Sequence, residues 1–105
     1  MEIKNLAAAV VCGTFIAGAS IAEDWDMPMA YSATNFHSEM GVVFADKVRD
    51  YTSGGINITV HPGGSLFKGG EIKRAIQTGQ APIGERFMSA HANEAPLLGW
   101  IIYHF

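Results

Sequence analysis

The chain has 105 residues, 49% of them hydrophobic and 16% charged, with a formal net charge of −3. This composition belongs to a folded chain, and the length holds at most one domain with its own core. The seven basic residues are scattered, with only Lys73 and Arg74 adjacent, so there is no clustered cationic surface of the kind that binds nucleic acid.

The first segment sets the export expectation. Residues 1–5 are short and polar and carry one cation, Lys4, which Glu2 offsets. Residues 6–19 are apolar or small, and Ser20-Ile21-Ala22 places small residues at the two positions a signal peptidase reads. The layout predicts a signal peptide over 1–22, cleaved before Glu23, and a mature domain over 23–105. The alternative is a membrane-anchored interaction module that keeps this helix. The apolar run is at the short end for a span, however, and Glu23, Asp24 and Asp26 follow it at once. Cys12, the only cysteine, follows Val11 rather than a small residue, which argues against lipidation.

Strand and helix signals then alternate. Residues 25–31 read as a strand with apolar residues on alternate positions, weakened at Pro28, which cannot donate to a ladder. Thr34 or Asn35 is placed to cap a helix. In that helix Phe36, Met40, Val43, Phe44, Val48 and Tyr51 recur at helical spacing, which predicts the core-facing stripe. Gly54-Gly55 closes it. Ile56, Ile58 and Val60 alternate with polar residues as a second strand, stopped by His61-Pro62-Gly63-Gly64. A second helix is expected over 70–78, with Ile72, Ala75 and Ile76 on one face and Gly79 after it. Residues 81–87 form a third strand candidate, and 92–96 a loop or helix start. The order β-α-β-α-β predicts an α/β fold with a parallel sheet. Residues 97–105 are apolar and carry no cap or turn signal, which raises the expectation of a fragment or a changed reading frame.

The pieces carry a family resemblance. Trp25-Asp26-Met27-Pro28, Ala30-Tyr31 and Asn35-Phe36-His37 resemble the mature start of DctP-like solute-binding proteins of TRAP transporters. The likeness continues through 54–62 and Gly63-Gly64-Ser65-Leu66-Phe67, then 71–81, Ile83-Gly84-Glu85 and Asn93-Glu94-Ala95-Pro96. Gly99 to Phe105 lacks the proline-phenylalanine step the family has there. The resemblance implies the start of a type II periplasmic-binding-protein lobe, in a two-lobed periplasmic receptor that closes over a small carboxylate solute. It also implies delivery of that solute to TRAP permease membrane subunits, and a clamp arginine in a later region that this sequence does not contain.

Candidate ligand-binding residues on the first lobe are Tyr31, Phe36, His37, Glu85 and Asn93. Tyr31, Phe36 and His37 sit where the first strand passes into a helix N-terminus, the edge at which open α/β sheets bind ligands. Phe36 also falls on the apolar stripe, which favours a core position over a ligand contact. His37 is off the stripe and suits a capping or a ligand role. Glu85 ends the third strand; a carboxylate there accepts from a ligand or pairs with neighbouring Arg86. Asn93 lies in a loop.

No cofactor or metal is expected: the glycine pairs lack a Gly-Lys-Ser/Thr step, and the four histidines show no metal-ligand spacing. Ser65 and Ser89 have no nucleophile-elbow context, so the chain reads as a binding protein and not an enzyme. The remaining alternative, a small exported enzyme using Glu85 and a histidine, needs both groups in one cleft.

Overall fold

The computed structural model of the chain describes Gly13 and residues 21–97. The signal-peptide expectation over 1–22 and the apolar end over 98–105 therefore fall almost wholly outside the described residues.

Strand β1 spans Glu23–Pro28 and strand β2 spans Ile56–His61; they pair in parallel, with Glu23 opposite Ile56 and Pro28 opposite His61. Helix α1, Phe36–Tyr51, makes the crossover between them. Its first turn is capped by Asn35, whose side chain accepts from the His37 backbone N–H at 3.0 Å. It ends through Ser53 and Gly54, both at positive φ, with the Gly54 N–H donating to the Arg49 carbonyl at 2.8 Å. A 3₁₀ turn, Gly69–Glu71, leads into the short helix α2, Ile72–Gln77. A second 3₁₀ turn covers Met88–His91.

The first strand differs from the sequence expectation at both ends. It starts at Glu23, whose N–H reaches the Gly55 carbonyl at 2.8 Å, and regular pairing ends at Pro28. The third strand is reduced to a single parallel bridge between Met29 and Glu85. Proline chemistry accounts for this. Met29 donates to the His61 carbonyl on the β2 side, so Pro28 turns its peptide groups to the other side, where its carbonyl accepts from the Glu85 N–H. The donor that Pro28 lacks is thus one the third strand would need.

Successive residues of β1 face opposite layers. Met27 and Met29 pack toward α1, while Pro28 and Ala30 lie on the side of α2 and the 3₁₀ turn before it. Met27, Met29, Ala45, Ile72, Ala75 and Ala81 form the buried apolar core, and Pro28 is fully buried with them.

The face of α1 that packs is a correction to the apolar-stripe expectation. Ser38, Gly41 and Ala45 are buried, whereas Phe36, Met40, Val43, Phe44 and Tyr51 are exposed, Phe36 at 65% and Tyr51 at 85%. The strand supplies the bulk, through two methionines, so the helix face against it must be small for the layers to close. Ser38 is admitted to the core because its hydroxyl donates to the Tyr31 carbonyl at 2.8 Å. Ile76, expected on the packed face of α2, is 38% exposed.

Candidate ligand cleft at the strand ends

The end of β1 is fixed from two directions. The turn after β2 folds back on it, with the Gly63 N–H donating to the Tyr31 carbonyl and the Gly64 N–H to the Met29 carbonyl at 2.9 Å. Both glycines have positive φ, a conformation this turn requires and other residues rarely take. On the opposite side of β1, the bridge at Met29 brings in Glu85. The strand therefore has β2 on one flank and the 81–87 segment on the other, reached by crossovers in opposite directions. This is the switch point at which open α/β sheets form a crevice.

Across that crevice His37 Nδ1 lies 2.9 Å from Glu85 Oε1. An ionised carboxylate only accepts, so the contact puts the ring proton on Nδ1. Both side chains are largely shielded, His37 being 20% and Glu85 31% exposed. The second carboxylate oxygen, Oε2, is buried and has no hydrogen-bond partner among the described residues. Three rings hold the imidazole: Tyr31 at 4.7 Å between centroids, Phe36 at 4.1 Å, and Phe87 edge-on at 5.5 Å. Below the pair opens a cleft of about 310 Å³ whose other lining side chains are apolar: Met27, Phe36, Met40, Phe44 and Ile83.

Four of the five candidate residues, Tyr31, Phe36, His37 and Glu85, thus meet at one place. Phe36 is at the rim of the cleft and not in the core. Glu85 pairs with His37 and not with Arg86. Consecutive residues of the extended segment point to opposite sides, and the Arg86 guanidinium lies over Gly69 on the α2 side. Asn93 is elsewhere, in a polar cleft with Lys73, Arg74, Arg86, His91 and Glu94. There Lys73 and His91 both contact Glu94, and the hydrogen bond from Lys73 is the main cause that holds the Glu94 carboxyl below its usual range.

Phe87 was not singled out from the sequence. The signal was present, because in an extended segment it shares a side with Glu85, two residues before it. Met40 and Phe44, expected in the core, line the cleft because the small face of α1 turns inward instead. No group of three metal-ligating side chains occurs among the described residues, and none of their helices is long and apolar enough to cross a membrane.

No family model and no curated protein matches the chain. Solved structures do. Over 76% of its length it superposes on a marine metagenome TRAP solute-binding protein with 81% sequence identity and a TM-score of 0.73. The chain belongs to the TRAP solute-binding proteins.

That relative is described as specific for pyroglutamate and was solved with the co-purified ligand. The Bordetella pertussis extracytoplasmic solute receptor DctP6, which binds pyroglutamic acid, is 42% identical over 74% of the chain, with a TM-score of 0.70. A Rhodobacter sphaeroides TRAP periplasmic solute-binding protein in an open, ligand-free state is 30% identical over 75% of the chain, with a TM-score of 0.68. The chain covers 26%, 26% and 25% of these three relatives, so it spans about a quarter of a TRAP receptor. Its mixed α/β fold is that of the start of a periplasmic-binding-protein lobe.

Proposed function

We propose that residues 23–97 form one wall of the ligand cleft of an extracytoplasmic receptor for a small cyclic organic acid of the pyroglutamate type. The receptor captures this acid for uptake by TRAP permease subunits and performs no chemistry on it. The observation that carries the reading is the Glu85 carboxylate, held by His37 at the mouth of an apolar, ring-lined cleft at the strand ends. An anion on this wall repels the carboxylate of the solute, so the wall contacts the solute's ring and its hydrogen-bond donors. The solute's own carboxylate then needs a cation from another part of the receptor, for which a forked arginine is suited. The pyroglutamate named for the marine and Bordetella relatives fits this division: a compact lactam ring with an apolar CH₂–CH₂ edge and one N–H donor. Entry to the periplasm is assigned to cleavage between Ala22 and Glu23.

The test is a chimeric receptor in which residues 23–97 replace the matching segment of the marine metagenome protein; 81% identity makes the graft conservative. Calorimetry should show saturable one-to-one binding of pyroglutamate. Glu85→Gln should weaken it by about tenfold or more, the usual effect of losing a charged acceptor. Absence of binding in the unmodified chimera would refute the reading. Mass spectrometry of the exported chain checks the processing: a start at Glu23 supports the receptor, and an intact Met1 supports a retained anchor.

A further inference from the structure

We propose that the polar cleft on the α2 side of the sheet is a second binding site, which holds a small dianion, a phosphate or a dicarboxylate, between Arg74 and Arg86. The cleft has a volume of about 370 Å³, and Lys73, Arg74, Arg86, His91, Asn93 and Glu94 are among its lining residues. Three of these side chains are permanent cations and one is a carboxylate, which leaves two positive charges with His91 neutral. A dianion balances that charge and a monovalent anion does not.

The carboxylates nearby are already engaged. Lys73 and His91 both contact Glu94. Glu71 Oε2 accepts from the Lys68 backbone N–H at 3.0 Å, and Glu85 turns to His37 on the other face. Neither Arg74 nor Arg86 has an ion-pair partner among the described residues. Water serves Arg74, which is exposed, but Arg86 is half-buried, and a shielded cation gains from a paired anion. The Arg86 guanidinium is packed over Gly69, where a Cβ would collide with a terminal nitrogen, and Gly70 beside it lines the cleft. Its Nε is sealed in without a partner, so a ligand meets the terminal nitrogens. A guanidinium fork pairs two oxygens of a phosphate or carboxylate at once, which fixes the ion in place as well as attracting it. Asn93, which the ligand cleft does not use, supplies a neutral donor to the same cleft.

The experiment titrates inorganic phosphate, succinate, acetate and chloride into the chimeric receptor and into the full 105-residue chain at fixed ionic strength. Arginine side-chain NMR resonances are followed. Phosphate or succinate should shift Arg74 and Arg86 saturably, with half-saturation at about 1 mM. The tighter of the two names the dianion, and acetate and chloride should bind at least about tenfold more weakly. Arg74→Gln and Arg86→Gln should each weaken dianion binding by about tenfold, whereas Arg49→Gln, on α1 and paired with Asp46, should leave it unchanged. Gly69→Ala keeps every charge and displaces only the flexible end of Arg86, so it should also weaken binding, by about threefold or more. Equal responses to dianions and chloride overturn the inference, because they mark general screening. So does dianion binding that survives both Arg86→Gln and Gly69→Ala. A response in the 105-residue chain that disappears in the chimera overturns it too, since a carboxylate from the rest of the receptor then meets the two arginines. Pyroglutamate affinity in Arg86→Gln should stay within about twofold of the unmodified value, because Arg86 lies on the α2 side. A parallel loss of both ligands marks a structural role for Arg86 and overturns the assignment.

Discussion

Gly41 of α1 faces Met29, the residue after β1, so closely that a Cβ at position 41 would stand 2.4 Å from the Met29 sulfur and 2.9 Å from its methyl carbon. Met29 is fully buried, so the layer spacing between helix and sheet is set here by the absence of a side chain.

The first prediction concerns that spacing. Gly41→Val should destabilise the chimeric receptor by about 2 kcal/mol or more through overpacking. Gly41→Ala should cost under about 1 kcal/mol, because the flexible thioether yields and alanine favours the helix. Urea unfolding midpoints measure both, and equal effects would show that the contact does not set the spacing.

Gly84 is the corresponding point on the other face. A Cβ there would lie 2.7 Å from the Ile72 methyl carbon and 3.1 Å from that of Ile76, with the Pro28 carbonyl behind. Ile72 is buried and β-branched, so it cannot swing away. Gly84→Ala should destabilise by about 1–3 kcal/mol. It should also weaken pyroglutamate binding, because Glu85 is the next residue. Loss of stability with undiminished binding would contradict the coupling.

The Asn35 cap serves both the helix and the cleft. Asn35→Ala should cost about 1 kcal/mol in unfolding free energy, and Asn35→Ser only a few tenths. Since the cap holds the His37 N–H, Asn35→Ala should also weaken pyroglutamate binding. A stability loss with pyroglutamate binding intact would separate the two roles.

In the polar cleft, Lys73→Met should bring the Glu94 titration back up toward the ordinary carboxylate range, followed by carboxyl-carbon NMR. The hydrogen bond from Lys73 is the leading cause of its depression. A depressed carboxylate contributes stability above its unfolded pKa, and that contribution disappears as pH falls through its folded value. Glu94 is exposed, so the unfolding midpoint at neutral pH should hardly move. An unmoved Glu94 titration would show that the ion pair is absent in solution.

Local chemistry was legible wherever short-range forces decide. Asn35 before a helical period, alternation over 56–60, and glycines at positive φ after α1, β2 and α2 are all satisfied by neighbours in the chain. The third strand is shorter than its apolar content predicts. Pro28 lacks the donor on the flank where a ladder would form.

By itself, the sequence determined the α/β alternation and the places of α1, β2 and their turns, because these follow from periodicity, capping and turn residues; the likeness to TRAP receptors lies in the order of short motifs along the chain. Only the tertiary structure decided which side of α1 packs and what Glu85 meets. Hydrophobicity favoured the Phe36–Met40–Phe44 stripe, but Met27 and Met29 fill the interlayer space and admit only Ser38, Gly41 and Ala45. That rotation leaves His37 at the flank of the helix, 2.9 Å from a carboxylate 48 residues away. No local pattern encodes that distance: it arises because one parallel bridge at Met29 aligns Glu85 with the start of α1.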